Sequence, residues 1–118
     1  MDYEQLGNQI LNFDKTIRFV EIYSKSKKYS KLRTDVKSFL TREETEQSIN
    51  DAILRWKTRV NLSSKLGEPV YAMAEYKKAK RVTIPFTKEG LILVSLEPDG
   101  FHEIIIKEAI EILRQYSS

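Results

Sequence analysis

The spacing of apolar residues predicts a short helix followed by a strand at the start of the chain. Apolar side chains recur at helical spacing over residues 3–13, and Asp2 with Gln5 fits the pattern of a helix N-terminal cap. Residues 17–23 are rich in β-branched and aromatic side chains, which favour a strand. Alternation divides this strand between two faces, with Ile17, Phe19 and Tyr23 on one face and Val20 and Ile22 on the other.

A lysine-rich stretch follows the first strand. Residues 24–31 contain no apolar side chain except Tyr29, and residues 32–39 have a weaker strand pattern. The pattern therefore predicts a hairpin whose second strand covers residues 32–39 and whose loop carries the lysines.

The clearest local signal is a Thr-x-x-Glu capping box formed by Thr41 and Glu44. Each side chain can satisfy a free backbone N–H of the other, so a long helix is predicted to begin here. Apolar residues then recur on one stripe as far as residue 60. Gly67 followed by Pro69 is a stop signal, whereas the pattern leaves open whether the polar residues 61–64 interrupt the helix.

Three strand-like segments come next and are followed by a last helix. The segments at 70–76, 80–86 and 91–96 are separated by short turns, which predicts an antiparallel meander. The last of them is continuously apolar, so we expect it to be buried on both faces at the centre of the sheet. The helix over 101–116 has more apolar positions than one stripe needs. It should be covered on a second side, either by the first helix, which we expect, or by a second copy of the chain.

Composition limits the class of protein. The 118 residues are 41% hydrophobic and 31% charged, which is typical of a folded soluble chain, and we expect one domain over 1–118. Without cysteine the chain cannot form a disulfide, a thiolate nucleophile or a cysteine-ligated metal site. No apolar run is long enough to span a membrane, so we expect a cytoplasmic protein with no membrane partner.

Positive charge is concentrated in one part of the chain. The net charge is +3, yet residues 15–37 contain eight basic and two acidic side chains. A shorter basic cluster lies at residues 77–81. Such clusters can attract the phosphates of nucleic acid, although solvated loops often carry them without a partner. The candidate basic surface is Lys25, Lys27, Lys28, Lys31, Arg33, Lys37, Lys77, Lys78, Lys80 and Arg81.

The chain lacks the residue sets of common catalytic sites. His102 is the only histidine, which excludes a paired-histidine metal site within one chain, and its position in the first turn of a helix predicts exposure. The four glycines are scattered, so no phosphate-binding loop is present. Glu43, Glu44 and Glu46 lie at the start of a helix, where the helix dipole favours acidic side chains. This structural role explains the acidic cluster without a catalytic function. We therefore expect no catalytic residue, no metal site and no cofactor.

Five stretches of the chain resemble an archaeal roadblock-like family of uncharacterised function, within the roadblock and dynein-light-chain fold. The stretches cover Ile17-Arg18-Phe19, residues 40–44, Trp56-Lys57-Thr58-Arg59, residues 74–85 and residues 91–95. The resemblance implies the element order α-β-β-α-β-β-β-α. It also implies an α+β sandwich with a five-stranded antiparallel sheet in the order 2-1-5-4-3, in which the continuously apolar strand is central. Pro85 would then have to lie at a strand end or a bulge, because proline has no backbone N–H to donate.

In that strand order, the segment 70–76 lies at an edge of the sheet. Roadblock domains commonly dimerise by joining this edge across a two-fold axis, with the long helices beside it. An exposed apolar edge would otherwise invite aggregation, so we expect a homodimer. The candidate interface residues are Val70, Ala72, Met73, Ala74 and Tyr76, together with Trp56 of the long helix.

Three functions remain open at this point. The resemblance implies a noncatalytic scaffold or regulatory module that binds a small GTPase or another signalling protein, as relatives of this fold do. The alternative is an electrostatic nucleic-acid-binding module, which depends on the basic residues 24–37 and 77–81. A small-ligand sensor is the third, although no sequence marker points to it.

Overall fold

A computed structural model describes residues 2–25, 27–87 and 89–116. Its strands form one antiparallel sheet in the order β2-β1-β5-β4-β3, which confirms the predicted strand order and fold class. In chain order the elements are α1 (Tyr3–Phe13), β1 (Ile17–Ser24), β2 (Lys27–Leu32), α2 (Arg42–Val60), α3 (Ser63–Leu66), β3 (Ala72–Glu75), β4 (Lys80–Phe86), β5 (Gly90–Leu96) and α4 (His102–Tyr116).

Both predicted helix caps are present. The Asp2 side chain accepts a hydrogen bond from the Gln5 backbone N–H at 3.0 Å, and α1 follows it directly. At α2 the capping box is complete, because Thr41 accepts from the Glu44 N–H and Glu44 accepts from the Thr41 N–H, at 3.1 and 2.9 Å. The question left open by residues 61–64 is also answered. Helix α2 ends at Val60, and the separate short helix α3 follows it.

The predicted faces of β1 are wrong at one position. The pairing of β1 with β5 shifts register between Ile17 and Phe19, so Arg18 is an extra residue in a β-bulge. One extra residue reverses the alternation of side chains. Ile17 therefore lies in the same core as Val20 and Ile22, and not on the face of Phe19 and Tyr23.

The second strand also lies elsewhere than predicted. Strand β2 occupies Lys27–Leu32, within the segment predicted as a loop, and of the predicted strand 32–39 only Leu32 belongs to it. The hairpin pairs β1 with β2 from Phe19 opposite Leu32 to Ser24 opposite Lys27. An edge strand needs few apolar anchors, and here Tyr29 packs against the main core. The lysines are compatible with this strand because its outer edge faces solvent.

The sheet carries a core on each side. The larger core joins the sheet to α1 and α4, with Leu6, Ile10 and Ile105 almost wholly buried. The Tyr116 hydroxyl donates to the Gln9 side chain at 2.9 Å, which links the two helices directly. The expectation that the first helix covers the last is thus confirmed. The smaller core lies under α2 on the opposite face of the sheet.

The positions of β5 and Pro85 agree with the sequence prediction. Strand β5 lies at the centre of the sheet between β1 and β4, and all of its residues except Ser95 are buried. Strand β3 pairs with β4 only from Lys80 to Thr83. Pro85 therefore lies near the end of β4, beyond the part that β3 pairs with, where no donor toward β3 is needed.

Candidate interaction surface

One edge of the sheet is formed by β3, a strand of four residues that pairs on one side with β4. Ala72 and Met73 are half-buried, whereas Ala74 and Glu75 are exposed. Each edge strand of a sheet presents unpaired backbone N–H and C=O groups on its outer side. The edge predicted from the sequence is therefore present, with its backbone open to a further strand.

Large apolar side chains extend this edge at both ends. Val70 and Tyr71 precede β3 and Tyr76 follows it, and all three are exposed. We name this surface the β3 edge, consisting of Val70, Tyr71, Ala72, Met73, Ala74 and Tyr76.

Helix α2 presents a basic flank to the β3 edge. Arg55 and Arg59 line a small cavity of about 70 Å³ together with Ala72, Ala74 and Tyr76. This cavity is too small for an organic ligand of ordinary size. The flank is thus a place where a second macromolecular surface can pack, with two guanidinium groups available for acidic side chains or carbonyl oxygens.

Trp56 is part of the chain's own core. Its side chain is 8% exposed and packs in the cluster under α2 with Ile49, Ala52, Leu91 and Leu93. The sequence placed it in the candidate dimer interface, but little of its surface is free to contact a second copy. We therefore leave Trp56 out of the β3 edge.

The candidate basic surface is divided between the two ends of the sheet. Antiparallel pairing puts the β1–β2 turn beside the β4–β5 turn, where the Lys25 ammonium lies 3.7 Å from the Glu89 carboxylate. The turn between β3 and β4, with the exposed Lys77 and Lys78, lies at the other end. Lys27 and Lys28 are exposed on the β2 edge, Lys31 is half-buried there, and Lys37 is exposed in the linker before α2.

Three of the ten basic residues donate side-chain hydrogen bonds to other described residues of the chain. Arg33 donates to the backbone carbonyls of Ile17, Leu11 and Asp14 at 2.6 to 2.8 Å, tying the end of α1 to the hairpin. The Arg81 guanidinium donates to the Ser48 hydroxyl of α2. Both side chains therefore hold the fold together.

Lys80 is the third. It is buried, and its ammonium group donates to the Gly100 carbonyl at 2.9 Å and lies 3.1 Å from His102 Nδ1. The prediction that His102 is exposed is wrong, because its ring is half-buried against this lysine. Arg33, Lys80 and Arg81 are therefore held by contacts within the chain.

Sequence reasoning missed a buried acid on the α2 side of the sheet. Glu21 of β1 is 5% exposed, and burial raises its pKa from the usual 4.5 to about 7. Lys28 and Arg81 oppose this rise and Glu46 of α2 adds to it. A signal was available, since Glu21 lies between the apolar residues Val20 and Ile22 within the predicted strand.

Two connected clefts open beside Glu21. One of about 390 Å³ contains Glu21 and Glu46, and one of about 460 Å³ contains Arg18 and Arg81. They share the side chains of Phe19, Ser38, Leu40 and Thr45. Helix α2 and the linker before it thus leave the β1 and β2 side of the sheet incompletely covered.

Other titratable groups have local structural explanations. Hydrogen bonds from the Thr16 hydroxyl and backbone N–H lower the pKa of Asp14. Burial raises the pKa of the Tyr29 hydroxyl. Within the part of the chain that the structure describes, no three His, Asp or Glu side chains are grouped as a metal site would need. Over the same residues, no helix is both long and apolar enough to cross a membrane.

The fold is that of solved Roadblock/LC7 domain proteins. A Roadblock/LC7 domain from Streptomyces avermitilis superposes with a TM-score of 0.75 at 8% identity, over 98% of this chain and 94% of that one. The gliding protein MglB from Thermus thermophilus gives 0.71 at 12% identity, over 97% and 87% of the two chains. MglB of Myxococcus xanthus gives 0.68 at 13% identity, over 98% and 97%. No protein-family model and no curated protein matches the sequence.

Proposed function

We propose that this chain is a noncatalytic, homodimeric roadblock-like module of the cytoplasm, which offers a two-fold surface to a small GTPase or another signalling protein. The proposal rests on one observation: the β2 edge of the sheet is rich in lysine, whereas the β3 edge is flanked by exposed apolar side chains. The fold shared with Roadblock/LC7 domain proteins supports it.

The two edges differ in charge. The β2 edge carries Lys27, Lys28 and Lys31, and lysines on an edge strand oppose pairing with another strand. Strand β3 has the sequence Ala-Met-Ala-Glu and is flanked by exposed apolar side chains. Of the two, the β3 edge is the one suited to a second copy of the chain.

A two-fold dimer through the β3 edge would extend the sheet across both copies. Two β3 strands would pair antiparallel, and Val70, Tyr71 and Tyr76 would be covered. The two α2 helices would then lie side by side over the joint. Asp51 and Arg55 are four positions apart on α2, so a symmetric contact can place acid against base. Among proteins of this fold, one MglB structure has a tetrameric arrangement, which is consistent with self-association here.

The proposed partner surface is created by the dimer. Paired α2 helices would present their outer faces as one platform, which a single copy lacks. The nucleic-acid alternative receives less support, since Lys25, Lys27 and Lys28 lie at the opposite end of the sheet from Lys77 and Lys78. In addition, Arg33, Lys80 and Arg81 are engaged internally. The proposed partner is therefore a protein.

Sedimentation equilibrium tests the dimer. We expect the wild-type chain to sediment at twice its 13.8 kDa mass at micromolar concentration. The double variant Val70→Asp/Tyr71→Asp should sediment as a monomer, because two buried charges would face each other across the axis. Phe13→Asp is the matched control, since Phe13 is 40% exposed at the end of α1, which packs against β1 and β2 on the opposite side of the sheet from β3. A wild-type chain that stays monomeric at high micromolar concentration contradicts the dimer.

Affinity capture from the native cytoplasm tests the partner. The wild-type chain should retain a GTP-binding or other signalling protein that the Val70→Asp/Tyr71→Asp variant does not retain. Enrichment of nothing but the chain itself would count against the partner proposal and leave the dimer standing.

A further inference from the structure

Glu21 is a buried acid without an internal partner. Its side chain lies on the α2 face of β1, beside Phe19 and opposite Leu93 of β5 and Ser30 of β2. Among the described residues, no hydrogen bond or ion pair engages its carboxylate. The carboxylate oxygens are not among the solvent-inaccessible atoms of the described residues, so an external group can reach them through the cleft.

The cleft beside Glu21 has the size and lining of a ligand site. Its volume is about 390 Å³, within the range of small-molecule sites. Phe19, Leu40 and Ile49 supply apolar walls, and Glu46 of α2 contributes a second carboxylate. Lys28 and Arg42 also line the cleft, but neither they nor Arg81 lies within ion-pair distance of Glu21 in the described part of the chain.

We propose that this cleft binds an organic cation, with its ammonium or guanidinium group on the Glu21 carboxylate and its apolar stem against Phe19 and Leu40. A cation of this kind supplies the hydrogen-bond donors and the charge that Glu21 lacks, and its hydrocarbon stem matches the apolar walls. Metal ions fit less well, since the cleft holds only two carboxylates and is also lined by the cationic side chains of Lys28 and Arg42.

The site is separate from the proposed dimer surface. The cleft lies on the β1 and β2 side of α2, whereas the β3 edge lies on the other side of the same helix. The inference therefore does not depend on the proposed function, and the variants that test one leave the other intact.

Protonation of Glu21 gives the proposed site a measurable signature. The raised pKa means that near pH 7 part of the population carries the proton. A bound cation favours the ionised carboxylate, so binding should release a fraction of a proton. The groups that face Glu21 are Lys28 from β2, Arg81 from β4, and Arg42 and Glu46 from α2.

The test uses butylguanidinium as the probe and butylurea, its neutral isostere, as the control. We expect butylguanidinium to shift backbone amide signals around the cleft in two-dimensional NMR spectra, and to release protons on binding in calorimetry performed in two buffers. Butylurea should bind at least about tenfold more weakly. Equal binding of the two probes, or no binding of either, would overturn the proposal.

Two variants with the same chemical change locate the site. Glu21→Gln should weaken butylguanidinium binding at least about tenfold and abolish proton release. Glu43→Gln is the matched control, because Glu43 is exposed on α2 and does not line the cleft. Unchanged binding by Glu21→Gln would overturn the proposal. If that variant fails to fold, the pKa of Glu21 is measured by side-chain NMR in the wild-type chain with and without butylguanidinium. The bound cation should lower this pKa, and an unchanged pKa would overturn the proposal.

A capped Gly-Arg-Gly peptide distinguishes the source of the cation. Binding of the peptide at least about tenfold tighter than butylguanidinium would assign the cleft to the arginine side chain of a protein. Equal or weaker binding would assign it to a free amine or guanidine. Either outcome upholds a cation site at Glu21.

Discussion

The Arg18 guanidinium and the Glu97 carboxylate form a part-buried ion pair across the ends of β1 and β5. One Arg18 nitrogen, Nη1, donates to both carboxylate oxygens of Glu97 at 3.1 and 3.0 Å. The other, Nη2, donates to the Lys37 carbonyl at 2.6 Å, and the Phe39 ring lies 4.2 Å from the guanidinium carbon. The side chain of the bulge residue thus fastens the linker before α2 to the end of the sheet.

Glu97→Gln should lower the free energy of unfolding by about 2 kcal/mol, because it leaves the Arg18 guanidinium, 10% exposed, without its counter-charge. Urea denaturation followed by circular dichroism measures the change. Glu111→Gln is the control, since its ion pair with Arg114 is exposed and should contribute less than about 0.5 kcal/mol. Equal losses in the two variants would contradict the role given to Arg18.

The stability of the chain should depend on Glu21 in a defined pH window. The pKa of Glu21 is about 7 in the folded chain and close to 4.5 in the unfolded chain. Between these values the folded state holds a proton that the unfolded state has lost. The free energy of unfolding therefore falls as the pH rises through this window.

Glu21→Gln removes this dependence. The variant should be close to the wild type in stability near pH 4.5, and about 3 kcal/mol more stable near pH 8, where the wild-type carboxyl is ionised while buried. Urea denaturation of both proteins at several pH values gives the difference. A gap that stays constant with pH, or that narrows toward pH 8, would contradict the buried, unpaired state of Glu21.

Patterns among residues that are close in the sequence predict most of the helices and strands. Thr41 and Glu44 are three positions apart, so their capping box could be recognised without the tertiary structure. The bulge at Arg18 could not be predicted in this way, because its partner Glu97 lies 79 positions away. Strand β2 was misplaced for a related reason. Its lysines resemble a loop until its pairing with β1 and the packing of Tyr29 are known.

The same difference between what the sequence shows and what only the folded structure shows applies to the candidate sites. The β3 edge followed from the strand order that the resemblance implied, and the structure confirms that order. The sequence predicts Trp56 and Lys80 at surfaces, whereas both are buried, because the sequence does not show which face of an element is covered. The sequence shows Glu21 as an acid between two apolar residues, but only the structure shows the cleft beside it that makes it a candidate binding residue.

The capping box should account for a measurable part of the stability of α2. Thr41→Ala removes the acceptor for the Glu44 N–H and should cost about 1 kcal/mol. Thr41→Ser keeps the hydroxyl and should retain most of that stability. Thermal denaturation of the three proteins measures the difference. Equal losses for Ala and Ser would show that the methyl group of Thr41, and not its hydroxyl, is what matters.

Replacing Gly7 of α1 by alanine should destabilise the chain, although the same change at an ordinary helical glycine is stabilising. Replacing glycine by alanine inside a helix usually stabilises it by up to about 1 kcal/mol. A Cβ atom at Gly7, however, would stand 2.5 Å from Cε2 of the Tyr29 ring. Because Tyr29 is packed against the main core, Gly7→Ala should destabilise the chain by about 1 to 2 kcal/mol in urea denaturation.

A double-mutant cycle separates the contact from the helix propensity of Gly7. In a Tyr29→Ala background the ring is absent, so Gly7→Ala should become stabilising by about 0.5 to 1 kcal/mol. The change of sign between the two backgrounds is the expected result, because only the clash depends on Tyr29. A Gly7→Ala variant that is more stable than the wild type would show that α1 and β2 are not packed as closely as described. The lysine-rich strand would then lack its apolar anchor.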